Sequence, residues 1–118
     1  MILVDTSVWI DHFRRSNPTL VQYLAKGQVY GHEYVIGELA CGNLKNRTEI
    51  LALLRELPQA LLAQNEEVLE LLDSRRLFGK GVGWIDAHLL ASALLNRAKL
   101  WTLDKKLASL ALQLDISE

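Results

Sequence analysis

The chain opens on Ile2-Leu3-Val4 and turns at once to Asp5-Thr6-Ser7. An apolar, β-branched run of this length reads as a buried strand, and three consecutive good N-cap side chains behind it announce a helix. That helix carries Val8, Trp9, Ile10 and Phe13 at apolar positions. The same alternation continues down the chain. Pro18 suits the first turn of a second helix bearing Leu20, Val21 and Leu24, and Gly27 ends it. Val29 and Tyr30 suggest another strand, and residues 34–41 a helix stopped by Gly42. Asn46 with Glu49 three residues later has the form of a capping box, ahead of Ile50, Leu53, Leu54 and Leu57 at helical spacing until Pro58. Residues 60–63 are expected as a short strand, and Asn65 as the cap of a helix with Glu66 and Glu67 in its first turn. A glycine loop over 79–83 leads into a long apolar helix over 85–96, then a strand over 100–103 and a last helix over 105–112. Short apolar strands alternating with helices predict an α/β fold with a mainly parallel sheet.

At 118 residues the chain has the length of one domain, 1–118, with no linker, repeat or low-complexity run to divide it. Half of the residues are hydrophobic and 23% are charged, which excludes a disordered chain. A formal charge of -1 argues against a generally basic nucleic-acid binder. One cysteine, Cys41, cannot form an internal disulfide, so a cytoplasmic setting is expected, with Cys41 as a small packed residue. Met1-Ile2-Leu3-Val4-Asp5 has no basic n-region, so no signal peptide is expected there, and no apolar run approaches a membrane span.

Most of the acids lie at helix-surface spacing among polar neighbours. Four do not. Asp5 follows Ile2-Leu3-Val4; Glu38 lies within Val35-Ile36-Gly37-Glu38-Leu39-Ala40; Asp86 opens Ile85-Asp86-Ala87-His88-Leu89-Leu90; Asp104 follows Leu100-Trp101-Thr102-Leu103. A carboxylate at the edge of a core is costly unless something compensates for its desolvation. Asp5 and Asp104 each stand where a strand ends, and the carboxyl ends of parallel strands line the ligand crevice of α/β folds. Oxygen-only ligands gathered there suit Mg²⁺ or Mn²⁺.

In order, spacing and total length, these segments resemble the PIN-domain family, and within it the VapC-type toxin ribonucleases of prokaryotic toxin–antitoxin systems. The matching pieces are Val4-Asp5-Thr6-Ser7-Val8-Trp9-Ile10, Ile36-Gly37-Glu38-Leu39-Ala40, Asp86-Ala87-His88-Leu89-Leu90-Ala91 and Leu100-Trp101-Thr102-Leu103-Asp104. The resemblance implies a three-layer α/β/α sandwich and metal-dependent endonucleolytic cleavage of RNA. It further implies a homodimer and inhibition by a small cognate antitoxin. The family's acidic positions fall on Asp5, Glu38, Asp86 and Asp104, with Asp5, Asp86 and Asp104 expected to bind Mg²⁺ (or Mn²⁺) directly or through water. Glu38 is expected to ligate, or to orient or deprotonate the attacking water. Thr6, Ser7 and Thr102 are expected to orient the carboxylates, while simple helix capping explains Thr6 and Ser7 equally well.

Other features are discounted. Gly79-Lys80-Gly81-Val82-Gly83 lacks the spacing of a phosphate loop and follows a helix, so it reads as a connection, with Lys80 a candidate phosphate contact at the groove's border. His12, His32 and His88 lack metal-ligand spacing, and Trp9, Trp84 and Trp101 sit in apolar stretches that suggest core or interface rather than base-stacking platforms. Arg14-Arg15 is one of several short basic pairs that would touch RNA only if they shared a face. The leucine-rich stretch from Tyr23 to Leu72 offers surplus apolar surface for partner contacts. A non-catalytic PIN-like binding domain is the alternative. A receiver-like phosphoacceptor would need an adjacent acidic pair, and Asp5 is followed by Thr6.

Overall fold

The structure, a computed structural model, describes residues 1–118. Three parallel strands lie in the order β2-β1-β3: β1 (Ile2–Val4) at the centre, β2 (Val29–Tyr30) on one side and β3 (Lys99–Trp101) on the other. Ile2 is level with Val29 and Lys99, and Val4 with Trp101. All three residues of β1 are buried, as an apolar triplet with neighbours on both edges has to be.

Seven helices flank this sheet: α1 (Thr6–Arg15), α2 (Pro18–Ala25), α3 (Glu33–Cys41), α4 (Arg47–Glu56), α5 (Asn65–Ser74), α6 (Trp84–Leu95) and α7 (Lys105–Gln113). The α/β sandwich expected from the alternation is therefore present, with a sheet that is wholly parallel. One core cluster of 23 buried residues joins sheet and helices, including Leu3, Val8, Leu39, Leu89, Leu90, Leu100 and Leu107. A satellite of Ala63, Val68, Ala87 and Ala91 seats α5 on α6.

Several local expectations are corrected. Residues 60–63 form no strand; the chain leaving α4 makes a single bridge between Gln59 and Gly31, with Gly31 N–H donating to Pro58 O and Ala60 N–H to Gly31 O. A Cβ at Gly31 would stand 2.5 Å from Gln59 Nε2 and 3.0 Å from the Leu54 carbonyl oxygen, so the glycine leaves room for the Gln59 amide to bond that carbonyl. Asn46 precedes α4 with a left-handed backbone (φ 56°), and its side chain makes no cap bond, so no capping box forms with Glu49. The box belongs instead to Gln64 and Glu67 at the head of α5, which frees Asn65 for another partner. Cys41 ends α3 at the surface rather than packing inside. Trp9 is buried and stacked on Phe13, whereas Trp84 is exposed. Leu53, Leu61 and Leu69 are exposed, which is the surplus apolar surface read from the Tyr23 to Leu72 stretch.

Candidate active site

Because the strands run in one direction, their carboxyl ends meet at one edge of the sheet, and each continues directly into a turn or helix carrying polar side chains. Asp5 follows β1 and is the N-cap of α1; Asp104 follows β3 and is the N-cap of α7, accepting Leu107 N–H at 3.0 Å. Both carboxylates thus face helix N-termini, where unpaired N–H groups and the helix dipole favour negative charge.

The two strand ends are tied together by hydroxyls. Asp5 is buried, and its Oδ2 accepts Ser7 Oγ–H and Thr102 Oγ1–H, each at 2.7 Å, and Ser7 N–H at 3.4 Å. Ser7 Oγ in turn accepts Leu103 N–H at 2.9 Å, and Thr102 Oγ1 accepts Asp104 N–H at 3.0 Å. The three donors all fall on Oδ2, and Oδ1 takes none, so one oxygen of Asp5 is anchored and the other is available to a ligand. Ser7 and Thr102 therefore both orient a carboxylate. Thr6 does so elsewhere, donating Oγ1–H to Glu38 Oε1 at 3.0 Å across 32 residues of sequence.

Glu38 comes from the exposed face of α3, and Asp86 from the first turn of α6, where it is half-buried. Burial first, and then the negative charges of Asp5, Asp104 and Glu38, push the Asp86 carboxyl above the usual carboxylate range, against a lowering backbone hydrogen bond at Gly83. Acids from three other segments of the chain thus act electrostatically on Asp86.

Histidines that looked scattered prove to position the helices behind these acids. His32 ends the β2 segment and caps α3: its Nδ1 accepts Tyr34 N–H at 3.0 Å. The proton is therefore on Nε2, which donates to Ser92 Oγ at 3.0 Å, and Ser92 Oγ–H donates in turn to Leu61 O at 3.1 Å. This buried relay locks the helix bearing Glu38 to the helix bearing Asp86. Desolvation, and then the neighbouring His88, push His32 down to about 4, so it is neutral at pH 7. His88 is fully buried with Nε2 on Asn65 Oδ1 at 3.1 Å, and burial lowers its pKa. Its Nδ1 is the one buried side-chain polar atom without a partner. The sequence signal for His32 was its place directly after a strand and before a helix, the position of a cap.

Of the predicted basic contacts, the two arginines lie apart from Asp5. Arg14 and Arg15 are at the far end of α1, roughly 13–15 Å from Asp5 at 1.5 Å per residue. Arg15 pairs with Asp11 at 2.6 Å, and Arg14 lines a cleft of ≈ 410 Å³ with Ile10, Phe13, Leu39 and Ile50. That cleft holds none of the four acids, and chemistry rather than volume identifies the site. Lys80 sits in the loop before α6, with Nζ 3.3 Å from Gln113 Oε1.

The donor set fits a hard divalent cation. It is all oxygen, and burial, then the charges of the other three acids, raise Asp86, an imbalance that a cation would relieve. No three acidic, His or Cys side chains close into a complete cage. An ion among these acids would therefore be held partly through waters, which Mg²⁺ accepts. No helix is long and apolar enough to cross a membrane.

Residues 2–112 match the PIN domain family. The chain is also 49% identical over 108 residues to the protein named Ribonuclease VapC32 from Mycobacterium tuberculosis strain CDC 1551 / Oshkosh, covering 91% of this chain and 87% of the relative. The same identity and coverage hold for Ribonuclease VapC32 of strain ATCC 25618 / H37Rv.

Proposed function

The chain belongs to the PIN-domain family, and from that premise we propose that it is a metal-dependent endoribonuclease, the toxin of a toxin–antitoxin module. The observation that carries this reading is the convergence of acids at the carboxyl edge of the sheet, where Ser7 and Thr102 tie Asp5 to the Asp104 segment and the charges of Asp5, Asp104 and Glu38 reach the half-buried Asp86. PIN-domain ribonucleases use divalent ions, and Mg²⁺, with Mn²⁺ as a substitute, fits these oxygens.

In this reading Asp5, Asp86 and Asp104 hold the metal, directly or through water. When bound, the ion makes a water nucleophilic and offsets charge on the phosphoryl oxygens. Ser7 and Thr102 hold Asp5 Oδ2, which leaves Oδ1 without a protein donor and available to a ligand. Thr102 also fixes the backbone of Asp104, so one hydroxyl sets the spacing of two carboxylates. Glu38, oriented by Thr6, ligates or accepts the proton of the attacking water. Hydrolysis places the water's oxygen on phosphorus and releases the leaving ribose oxygen, which takes up a proton.

The substrate is RNA, and residues 1–118 act as one catalytic domain in the cytoplasm. Lys80 contacts its phosphates beside the site, and Arg14 and Arg15 do so for a strand extending along α1. A homodimer and a cognate antitoxin complete the assembly, with exposed Leu53, Leu61 and Leu69 as surface available to them. The test compares RNA cleavage with Mg²⁺, with EDTA, and by Asp5→Asn. Cleavage should require Mg²⁺ and Asp5. Persistent cleavage in EDTA or by Asp5→Asn would overturn the metal mechanism, and no cleavage of any RNA would leave a non-catalytic binding domain.

A further inference from the structure

Two unlike flanks adjoin the acids along the chain, through α3 and α6 on one and through the loop before α6 and the start of α7 on the other. On one, Tyr34 precedes Glu38 by one turn on the same face of α3. Its ring meets His88 edge to face, with centroids 4.9 Å apart at 76°. His88 meets Trp84 in the same manner, at 4.7 Å and 87°, one turn earlier in α6. His88 is fully buried and fastened to Asn65, so it is a fixed post that sets the plane of the indole. Yet Trp84, the first residue of α6 and two positions before Asp86, is left 44% exposed. A large aromatic ring held in one orientation and open to solvent beside a reactive site has the form of a stacking platform.

The other flank is cationic. The loop before α6 turns through Gly79 and Gly81, both at positive φ (73° and 79°). A Cβ at Gly81 would stand 2.9 Å from Lys106 Cδ and 3.1 Å from its Nζ, so the glycine lets Lys106 lie across the loop backbone. Lys80 lies alongside on Gln113, and Lys80 and Lys106 are both exposed. Neither ammonium group is engaged with a carboxylate; the single ion pair of the chain joins Arg15 and Asp11.

We propose that Trp84 stacks an unpaired nucleobase next to the scissile phosphate, while Lys80 and Lys106 take phosphates of the same strand. This rests on the ribonuclease reading above and adds to it a residue that contacts a base of the substrate. An aromatic face combined with cationic groups is how single strands are bound without a sequence code. A duplex hides its base faces in the stack and offers none to Trp84. The lysines favour a polyanion over an apolar peptide as the occupant.

The test measures binding of an unstructured eight-nucleotide RNA to the full chain, with Ca²⁺ replacing Mg²⁺. A parallel series removes one base at a time while keeping the ribose-phosphate. Trp84→Ala should weaken binding about 5- to 150-fold, and Trp84→Phe should stay within about threefold. One abasic position should reproduce that loss in the wild type and cost nothing more in Trp84→Ala, a coupling that a purely structural role for Trp84 would not produce. The same sequence as a duplex should bind more weakly. Binding by folded Trp84→Ala within about twofold of wild type, the absence of any sensitive abasic position, or equal affinity for the duplex would each overturn the proposal. If Trp84→Ala fails to fold, the wild-type abasic series and the duplex comparison decide. Failure of the ribonuclease reading is separate, because it appears as absence of Mg²⁺-dependent cleavage whatever the binding series gives.

Discussion

Asp5 and Asp104 sit on adjoining strand ends and are joined through Ser7 and Thr102, whereas Glu38 and Asp86 ride on helices whose fastenings lie well behind the carboxylates. In the strand-end half, short hydrogen bonds reach the acids themselves, and backbone N–H groups of Leu103 and Asp104 complete the hydroxyls. In the helix half the ties are His32 to Ser92 and His88 to Asn65, one or two turns away from the charge. The difference separates two jobs. One half holds a carboxylate oxygen in place before any ligand arrives; the other brings charge close and leaves Asp86 poorly compensated until a cation balances it.

The largest break in this comparison is Asp5→Asn. It removes the acid on which both hydroxyls converge, and RNA cleavage should fall by more than the roughly 10–100-fold that an orienting partner is worth. Asp5 is also the foremost of the charges raising Asp86, so Asp86 should titrate lower in the variant, as carboxyl NMR would record. Loss of cleavage with Asp86 unmoved would mean that the two halves do not share one field.

A second test separates the helix half by pH. His32, with a folded value of about 4 against 6.5, is neutral when folded but takes a proton when unfolded. Its contribution is complete above pH 6.5 and is lost as pH falls toward about 4, by about 2–3 kcal/mol. Asp86, raised in the folded state, has the opposite sign: its protonation relieves the native site, so it adds stability as the pH falls through its folded value toward the unfolded one near 3.8. Chemical denaturation across this range should show a loss below pH 6.5 that His32→Asn flattens and Asp86→Asn deepens. A slope unchanged by His32→Asn would disprove the buried neutral cap.

The same contrast explains what could be read from the sequence. Asp5 and Asp104 were legible because their cause is local: an apolar run ends, a carboxylate follows, and a helix begins. Glu38 and Asp86 were legible only as acids among apolar neighbours, since what joins them is packing between α3 and α6. Caps near the helix half were misassigned for that reason. Asn65 has good cap chemistry, but Gln64 and Glu67 close the box and Asn65 turns to His88, 23 residues away. Residues 60–63 look like a strand, yet they follow a single bridge at Gln59 and then turn their carbonyls to helix side chains, with Leu61 O accepting from Ser92 and Asn96. Trp84 lies in an apolar stretch and would pass for core; only the packing of His88 beneath it shows why the ring stays outside.

Thr102→Val comes next in size. It removes one of two 2.7 Å donors on Asp5 and the acceptor for Asp104 N–H, while keeping the side-chain volume. Mg²⁺ affinity and cleavage should drop about 10–100-fold, with the fold intact by circular dichroism. Ser7→Ala should give a loss of the same order, because Ser7 plays the same double role toward Asp5 and Leu103. If either variant retains wild-type Mg²⁺ affinity, the strand-end half is not preorganised by its hydroxyls.

Thr6→Val should have the smallest effect. Thr6 also donates a hydroxyl to a site carboxylate, at 3.0 Å to Glu38, but that bond is exposed, and water can replace the donor at little cost. Glu38 has no second protein donor to hold a fixed orientation, so it already exchanges with solvent. The expected change is a few-fold in cleavage, equivalent to about 0.5–1 kcal/mol, with Mg²⁺ affinity nearly unchanged. The measurement is informative because the chemical change matches that in Thr102→Val and only the surroundings differ. A loss as large as that of Thr102→Val would show that Glu38, too, depends on a preset orientation, and the division into a fixed strand-end half and a compliant helix half would fail.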